Sequence, residues 1–294
     1  MVVLVTGAGG QLGQSLQFIA ADYPQIDFRF YGSQDLDITQ KTQIEAIFKK
    51  INPEFCINAA AYTAVDKAES EPEKAFEINV TGARNVAEVC KEFGAKLIHI
   101  STDFVFDGSL DSAEMTKGYT EEAGTNPKSF YGKTKLEGEK AIQAIFDDYF
   151  IVRTSWVYSL FGNNFMKSML RLSKERETLS IVNDQVGTPT NAVDLANVLI
   201  QIILHTVQNP ELNTYGIYNF SNEGQCSWFD FAKKIFEVNK INIDLKPIPS
   251  RDYPTPAERP KYSVLDKNKI KRVFGVDIEN WEESLLKADA NITQ

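Results

Sequence analysis

The amino-acid sequence predicts an α/β fold in which a doubly wound parallel sheet is followed by a smaller C-terminal region. Three observations support this prediction. Short apolar runs alternate with helical patterns through the first half of the chain, a glycine-rich turn follows the first run, and the alternation becomes irregular beyond Arg153. Strands that alternate with helices are joined by right-handed crossovers, which cover both faces of a parallel sheet with helices.

The individual elements follow from residue type and spacing. Runs rich in β-branched and aliphatic residues predict strands at residues 2–6, 28–31, 55–58, 96–101 and 149–154. Apolar residues at helical spacing predict helices at residues 11–21, 43–50, 71–93 and 130–144. Farther along, the sequence predicts an apolar helix at 193–204, a strand at 218–220 and a proline-rich loop at 248–260.

Composition excludes several classes of protein. The chain has 294 residues and a net charge of −9, which argues against nucleic-acid or anionic-membrane partners because both favour a basic surface. The cysteines are too few and too scattered for a disulfide framework or a zinc site, and they are Cys56, Cys90 and Cys226. No segment approaches the ~20 apolar residues of a membrane span, and the first residues lack a basic leader. We therefore expect a cytoplasmic protein.

The stretch VTGAGGQLGQSL carries three glycines, Gly7, Gly10 and Gly13, between the first strand and the first helix. Glycine permits a tight turn and a close approach of the backbone to a pyrophosphate, and the helix N-terminus offers free N–H groups to that anion. A tight turn without a ligand is the alternative. The strand–loop–helix context favours a dinucleotide site, and hence a Rossmann fold.

This interpretation divides the chain into two parts. Residues 1–155 are predicted to form an NADP(H)-binding Rossmann domain, and residues 156–294 mainly a substrate-binding region. Segments at about 180–222 are expected to return to the Rossmann domain. The second strand ends in Tyr31-Gly32-Ser33-Gln34 without an acidic residue that would bind a ribose 2′-hydroxyl. This favours NADPH, with NADH as the other possibility.

A candidate proton donor lies in the predicted helix at 130–144. Tyr131 and Lys135 are spaced i, i+4 and share a helix face. An ammonium close to a phenol is expected to lower the phenol pKa from ~10, which suits the reduction of a carbonyl. Thr102 follows a strand at the carboxyl edge of the sheet, where its hydroxyl could bind a substrate oxygen. The alternatives are a solvated helix and a threonine that completes a turn.

Longer blocks resemble a known family. The glycine loop, INAAAYT (57–63), STDFVF (101–106) and YGKTK (131–135) resemble the extended short-chain dehydrogenase/reductase superfamily. The blocks NAAAYTAVDKAESEPE (58–73), RTSWVYS (153–159), NDQVGTPT (183–190) and YPTPAERP (253–260) resemble the dTDP-4-dehydrorhamnose reductase family along nearly the whole chain. The resemblance implies that a reduced nicotinamide transfers hydride to C4 of dTDP-4-dehydro-L-rhamnose, a small-molecule substrate, and so forms dTDP-L-rhamnose.

The resemblance also implies roles for single residues. Tyr131 would protonate the nascent alkoxide, Lys135 would lower the phenol pKa and hold the nicotinamide ribose, and Thr102 would hydrogen-bond the keto oxygen. The sugar-contacting positions are Thr102, Asp103, Tyr131 and Trp156. The cofactor-contacting positions are Gly7, Gly10, Gln11, Leu12, Gly13, Asp37, Ile38, Ala61, Tyr62, Thr63 and Lys135.

The chain departs from the family at three places. Phe104 replaces a frequent tyrosine, and Tyr62 replaces a histidine of some members. Some members hold a magnesium ion between subunits with glutamates, but here the corresponding places have Ser15, Val193 and a tail without glutamate after Glu283. Because a hard cation prefers carboxylate ligands, we predict no such metal, and a monomer or a homodimer that no metal bridges.

Other functions remain open at this point. A nucleotide-sugar 4,6-dehydratase needs an acid–base pair after the catalytic threonine, where Phe104 cannot abstract a proton. A 4-epimerase or another nucleotide-sugar reductase fits the same Tyr131 and Lys135. The alternative from another class is a non-catalytic NADP-binding regulatory subunit, like that of methionine adenosyltransferase. His99 is predicted to be a buried core residue rather than a base, and Arg259 and Lys261 are either solvated charges or pyrophosphate contacts.

Overall fold

The computed structural model describes residues 1–109 and 117–290, without the side chains of residues 289 and 290. Its centre is a six-stranded parallel sheet with the order β10-β5-β4-β3-β1-β2. The strands are β1 (Val2–Thr6), β2 (Asp27–Tyr31), β3 (Phe55–Asn58), β4 (Lys96–Thr102), β5 (Tyr149–Thr154) and β10 (Gly216–Asn219). The predicted doubly wound parallel sheet is confirmed.

Helices cover both faces of this sheet. The helices of the N-terminal half are α1 (Gln11–Ile19), α2 (Lys41–Ile51), α3 (Val65–Ala68), α4 (Pro72–Phe76), α5 (Ala83–Phe93) and α6 (Phe130–Gln143). One buried cluster joins α1 to the sheet and to a later helix, α8 (Ala192–Gln208), and a second cluster joins α2 and α5 to the opposite face. Burial of these apolar faces supplies the main driving force for the fold.

Between α4 and α5 the chain forms a π-helical segment, Glu77–Gly82. The predicted helix at 71–93 is therefore one helical run with a widened turn in its middle. At Gly138 of α6, a Cβ atom would lie 2.3 Å from the Asn79 carbonyl oxygen. Only a glycine allows α6 to approach the π-helical segment this closely.

The C-terminal half returns to the sheet and also builds a separate layer. Strand β10 pairs with β5 in the main sheet and helix α8 packs on that sheet. These are the two segments, 218–220 and 193–204, that the sequence associated with the sheet. The remaining strands form three short pairs, from β6 (Val157–Tyr158), β7 (Thr178–Val182), β8 (Val186–Gly187), β9 (Thr190–Asn191), β11 (Cys226–Ser227) and β12 (Asp244–Ile248). A third buried cluster joins the helices of this layer, α7 (Phe165–Glu175), α9 (Trp228–Val238) and α11 (Trp281–Ala290), while α10 (Asn268–Phe274) packs on the main sheet.

Within the described ranges, none of the helices combines the length and the apolar character that a membrane crossing requires. The carboxyl ends of β1, β3, β4 and β5 lie side by side in the sheet. Polar residues at these four ends are therefore brought to one edge, where open parallel sheets bind ligands. The assignment of residues 1–155 and 156–294 to cofactor and substrate stays a prediction.

Candidate active site

The glycine loop lies against the backbone that follows β3. Gly7 has a φ of +67°, and a Cβ atom there would lie 2.6 Å from the Ala60 nitrogen. A Cβ atom at Gly13 would lie 2.5 Å from the Gly7 carbonyl oxygen. The N-cap of α1 is Gly10, which has no side chain, so no side chain caps the first N–H groups of the helix. The loop thus brings the N–H groups of the first turn of α1 to the sheet edge, an arrangement that suits a pyrophosphate.

Gln11 connects this loop to the C-terminal half. Its Nε2 donates to the Val157 carbonyl oxygen at 3.3 Å, and its Oε1 accepts from Ser159 Oγ at 3.1 Å and from Asn164 Nδ2 at 2.9 Å. Leu12 is buried. The side chain of Gln11 is thereby fixed to the segment 157–164, and only its backbone is left to face an anion at the loop.

The adenosine side of the predicted cofactor site lies between β2 and the segment after β3. Asp37 is exposed, and its Oδ1 accepts from the Thr39 N–H at 3.0 Å, whereas Ile38 is buried. Arg29 pairs with Asp27 at 2.7 Å on the exposed surface. Ala61 and Thr63 flank Tyr62 in the chain.

Tyr62 is held by the residues around it. Its N–H donates to Asn79 Oδ1 at 2.8 Å, and its hydroxyl donates to Glu71 Oε2 at 3.1 Å. The Asn79 Nδ2 in turn donates to Thr134 Oγ1 on α6 at 3.0 Å. These bonds fix the position of the loop at 61–63 relative to the helix that carries Tyr131 and Lys135.

Tyr131 lies in the first turn of α6, next to Thr102 and Asp103 at the end of β4, and the space around these three side chains is called the cleft below. The helix begins at Ser129, whose hydroxyl accepts from the Gly132 N–H at 3.1 Å. Gly132 allows close contact, since a Cβ atom there would lie 2.3 Å from the Phe104 carbonyl oxygen. Tyr131 is 8% exposed. Its ring contacts the Phe104 ring edge to face, with the ring centroids 5.7 Å apart.

Burial raises the pKa of Tyr131 to about 12, while a hydrogen bond with Thr102 lowers the pKa and the charge of Asp103 raises it further. The sequence predicted the opposite direction, a pKa lowered by Lys135. Desolvation disfavours the phenolate and is the largest effect here, and the lowering contribution of Lys135 stays a prediction. At neutral pH Tyr131 is accordingly a protonated phenol, the form that can donate a proton.

Lys135 points its amine toward the end of β4. Its Nζ donates to the Ile100 carbonyl oxygen at 2.7 Å and lies 3.2 Å from His99 Nε2. Burial lowers the pKa of Lys135 to about 8, and the charge of Glu139 opposes this effect. His99 is 1% exposed and has polar neighbours at both ring nitrogens, as predicted for a core residue.

Thr102 and Asp103 complete the cleft at the carboxyl end of β4. The Thr102 hydroxyl donates to Asp103 Oδ1 at 3.0 Å and accepts from the Phe104 N–H at 3.2 Å. Asp103 is 2% exposed. Burial raises its pKa to about 6, and the hydroxyl groups of Ser263 and Thr102 lower it in part. The Thr102 and Ser263 hydroxyls therefore surround the buried Asp103 carboxyl at the carboxyl end of β4.

Trp156 lies two residues after Thr154, the strand partner of Thr102, and has an unusual backbone conformation. Its φ is +47°, and its ring stacks on Trp228 with centroids 3.5 Å apart. A Cβ atom at Gly187 would lie 2.6 Å from the Trp156 ring. The indole is thus held between a ring and a glycine, and neither contact could be read from the sequence.

Several residues near the site were not singled out from the sequence. Ser263 contacts Asp103, and Trp228 supports Trp156. Glu139 pairs with Arg153 at 2.7 Å and accepts from Ser101 Oγ at 2.5 Å. Helical spacing could have indicated Glu139, because this residue lies one turn beyond Lys135 and on the same face of α6. No local pattern marks Ser263 or Trp228, which come from distant segments.

The proline-rich segment is anchored beside the cleft. Arg259 forms a two-pronged ion pair with Asp66, with distances of 2.9 and 2.7 Å. The backbone carbonyl of Lys261 accepts from the Val186 N–H at 2.8 Å. Arg259 is therefore not the solvated charge that one interpretation of the sequence predicted. Its contact with a pyrophosphate stays a prediction.

The positions considered for a shared metal carry other contacts. Ser15 is buried, and its hydroxyl donates to the Gln11 carbonyl oxygen at 2.9 Å. The Val193 N–H donates to Asn191 Oδ1 at 3.0 Å. Among the residues that the structure describes, no group of three or more His, Cys, Asp or Glu side chains could hold a metal ion. The expected lack of a bridging metal stays a prediction.

The chain is similar to proteins of known kind over nearly its full length. The family model for the RmlD substrate binding domain matches residues 1–293. The dTDP-4-dehydrorhamnose reductase of Aggregatibacter actinomycetemcomitans is 40% identical over 289 residues, with 96% of each chain covered. The dTDP-4-keto-6-deoxy-D-glucose reductase of Streptomyces niveus is 34% identical over 291 residues, which cover 97% of this chain and 95% of that protein.

A solved structure of a protein with the same name as the first of these relatives is also similar to the chain. The crystal structure of the dTDP-4-dehydrorhamnose reductase from Bacillus anthracis, in complex with NADP, superposes with a TM-score of 0.90. The two sequences are 42% identical, and 99% of each chain is covered. The predicted Rossmann-type fold is confirmed by this likeness.

Proposed function

The chain belongs to the RmlD substrate-binding-domain family of nucleotide-sugar reductases, and on this premise we propose that it reduces dTDP-4-dehydro-L-rhamnose to dTDP-L-rhamnose with NADPH. One observation carries the proposal. A buried phenol, a strand-end hydroxyl and a lysine amine, from Tyr131, Thr102 and Lys135, meet at the sheet edge beside a glycine loop. This combination suits hydride transfer to a carbonyl with protonation of the resulting alkoxide.

The glycine loop fits a dinucleotide. Gly7 and Gly13 leave no room for side chains, and the uncapped start of α1 presents N–H groups to an anion. The adenosine would be flanked by Asp37 and Ile38. The part of the site between the adenosine and the nicotinamide would be lined by Ala61, Tyr62 and Thr63. When bound, NADPH supplies the hydride. The relative from Bacillus anthracis was crystallised with NADP, and β2 ends without an acidic residue that would repel a 2′-phosphate.

The protein's own groups account for the proton. Tyr131 remains a neutral phenol at pH 7 because burial raises its pKa to about 12. As negative charge develops on the C4 oxygen, the phenol donates its proton, and the Thr102 hydroxyl turns from Asp103 to donate to the same oxygen. The Lys135 ammonium stabilises the phenolate that remains and would hold the nicotinamide ribose.

Asp103 and Trp156 would bind the sugar from two sides of the cleft. Asp103 can accept from a sugar hydroxyl when ionised. Trp156 offers an apolar ring face whose orientation is fixed by Trp228. A relative that is 34% identical is named as a reductase of a different keto-sugar. An assay must therefore compare the two keto-sugars as substrates.

We also propose that the protein works as a monomer or a homodimer without a bridging metal. The support is the identity of Ser15 and Val193, neither of which offers a carboxylate. Light scattering in the presence of a chelator tests this proposal. A dimer that dissociates when EDTA is added and re-forms with Mg²⁺ would contradict it.

Nicotinamide oxidation with freshly generated dTDP-4-dehydro-L-rhamnose tests the main proposal. We expect steady turnover with the parent protein and at least a ~100-fold loss with Tyr131→Phe, the scale of one general acid. Tyr23→Phe is the matched control, since the Tyr23 hydroxyl donates to Asn197 Oδ1 at 2.9 Å and no site role is assigned to it, and it should retain most activity. Turnover only with dTDP-4-keto-6-deoxy-D-glucose would revise the substrate. Tight NADPH binding without turnover of either sugar would favour the regulatory-subunit alternative.

A further inference from the structure

A buried chain of polar side chains crosses the sheet beneath the cleft and ends at Lys135. Thr6, Asn58 and His99 are directly paired neighbours on β1, β3 and β4, so their side chains lie on the same face of the sheet. Thr6 Oγ1 lies 2.7 Å from Asn58 Oδ1, Asn58 Nδ2 lies 3.1 Å from His99 Nδ1, and His99 Nε2 lies 3.2 Å from Lys135 Nζ. Each of the four residues is at most 2% exposed.

The number of donors in this chain limits its protonation states. A lysine ammonium has three N–H donors and no acceptor, and a neutral imidazole carries one proton on either ring nitrogen. If Lys135 is charged, His99 Nε2 must accept from it, so the imidazole proton is on Nδ1. Asn58 must then present its carbonyl oxygen to Nδ1, which requires a half-turn of the carboxamide.

This half-turn keeps Asn58 within hydrogen-bond distance of both neighbours, with the Thr6 hydroxyl as an acceptor in place of a donor. The two ends of a carboxamide are nearly equal in size, and the Asn58 NH₂ group then donates to Thr6 Oγ1. In the opposite arrangement Asn58 Nδ2 donates to His99 Nδ1, the imidazole proton is on Nε2, and it faces Lys135 Nζ. That arrangement is satisfied only when Lys135 is a neutral amine. The imidazole tautomer and the charge of Lys135 are therefore coupled.

We propose that His99 is a positioning residue for the reduction: its neutral imidazole accepts a hydrogen bond from the Lys135 ammonium at Nε2 and fixes the amine at the cleft. The Ile100 carbonyl oxygen accepts a second N–H at 2.7 Å. The third N–H is then left for groups in the cleft. This inference rests on the proposed function, because it assigns His99 a role in the same reaction.

The surrounding charges are consistent with a neutral imidazole beside a charged amine. Burial and the nearby Lys135 hold the pKa of His99 well below its usual range. On α6, Tyr131 precedes Lys135 and Glu139 follows it, and the charge of Glu139 raises the lysine pKa against the effect of burial. Arg153 on β5 forms an ion pair with Glu139, and the charge of Asp103 at the end of β4 raises the pKa of Tyr131.

The tautomer can be measured without any turnover. The chain has two histidines, so a His99→Asn variant assigns the ¹⁵N imidazole signals of the parent protein directly. At pH 6.5, where Lys135 is charged, we expect His99 to carry its proton on Nδ1, and the Nε2 signal to move in Lys135→Met. A proton on Nε2 at this pH would overturn the proposal, whether or not the protein reduces the keto-sugar.

A pair of variants tests the role in the reaction. The amide oxygen of glutamine reaches the place of Nε2, whereas that of asparagine reaches only the place of Nδ1. His99→Gln should keep kcat within about threefold of the parent, and His99→Asn should lose at least about tenfold, since only glutamine restores the acceptor for the ammonium. Circular dichroism and urea unfolding serve as the folding controls.

The pH profile separates this role from a purely structural one. A lost acceptor destabilises the charged amine and lowers the pKa of Lys135 below about 8. The alkaline fall of kcat in His99→Asn should therefore move to lower pH by about one unit, and it should return to the parent position in His99→Gln. Equal loss in both variants, or no loss in either, would overturn the proposal. An inactive parent would instead refute the proposed function and leave the tautomer measurement as the test.

Discussion

Trp156 and Trp228 stack in parallel, with ring centroids 3.5 Å apart and an angle of 6° between the ring planes. Trp156 belongs to the segment after β5, and Trp228 is the first residue of α9. Gly187 lies against the Trp156 ring. The orientation of the indole in the cleft therefore depends on two residues from separate parts of the chain, although its backbone has a φ of +47° that is costly for a non-glycine residue.

Trp228→Leu should weaken substrate binding more than it slows the chemical step. Without the second ring, the Trp156 indole loses its support and can leave the position in which it would face the sugar. We expect KM for the keto-sugar to rise about tenfold and kcat to change less than threefold in steady-state assays. Trp281→Phe, which changes another indole of the same apolar cluster, is the control. An equal KM increase in the control would assign the effect to general packing.

Asp103→Asn should make stability less dependent on pH. Burial raises the pKa of Asp103 from 3.8 to about 6, so the native state binds this proton more tightly than the unfolded chain. Ionisation between about pH 4 and pH 6 therefore destabilises the native state, by about 3 kcal/mol at most. The free energy of unfolding of the variant relative to the parent should rise from pH 4.5 to pH 7.5 in urea titrations. A difference that is constant with pH would contradict this prediction.

Glu139→Gln should destabilise the fold strongly. The carboxylate and Arg153 are 1% and 3% exposed and lie 2.7 Å apart, so the variant leaves a buried guanidinium without its counter-charge. We expect a loss of about 3–5 kcal/mol in the free energy of unfolding. The exposed pair Arg171–Glu175 is the control, and Glu175→Gln should change stability by about 0.5 kcal/mol or less. Similar losses in both variants would refute the argument from burial.

Gly13→Ala should impair the glycine loop, whereas Gly9→Ala should not. A Cβ atom at Gly13 would lie 2.6 Å from the Ala8 Cα, but one at Gly9 would meet no atom within 4 Å. Because backbone must move to admit the methyl group, we expect at least a tenfold loss of NADPH affinity and about 1–3 kcal/mol of stability at Gly13. Fluorescence titration and urea unfolding measure the two effects. Equal NADPH affinity in both variants would contradict the steric argument.

Most of the sheet and its helices were predictable because their signals are local. The strand at 55–58 and the strand at 149–154 have the bounds that their apolar runs predicted. The π-helical segment Glu77–Gly82 was not predictable, since an ordinary helix and a widened turn share the same apolar spacing. Its position depends on the contact with α6 at Gly138, which is a property of the folded protein.

The sequence by itself determined the glycine loop and the shared helix face of Tyr131 and Lys135, because both depend on spacing within one turn or one helix. Tertiary structure decided the direction of the Tyr131 pKa, since desolvation depends on how completely the fold buries the phenol. It also decided the partner of Arg259, which is Asp66, 193 residues away along the chain. Contacts between residues so distant leave no local pattern, so only the folded protein specifies them.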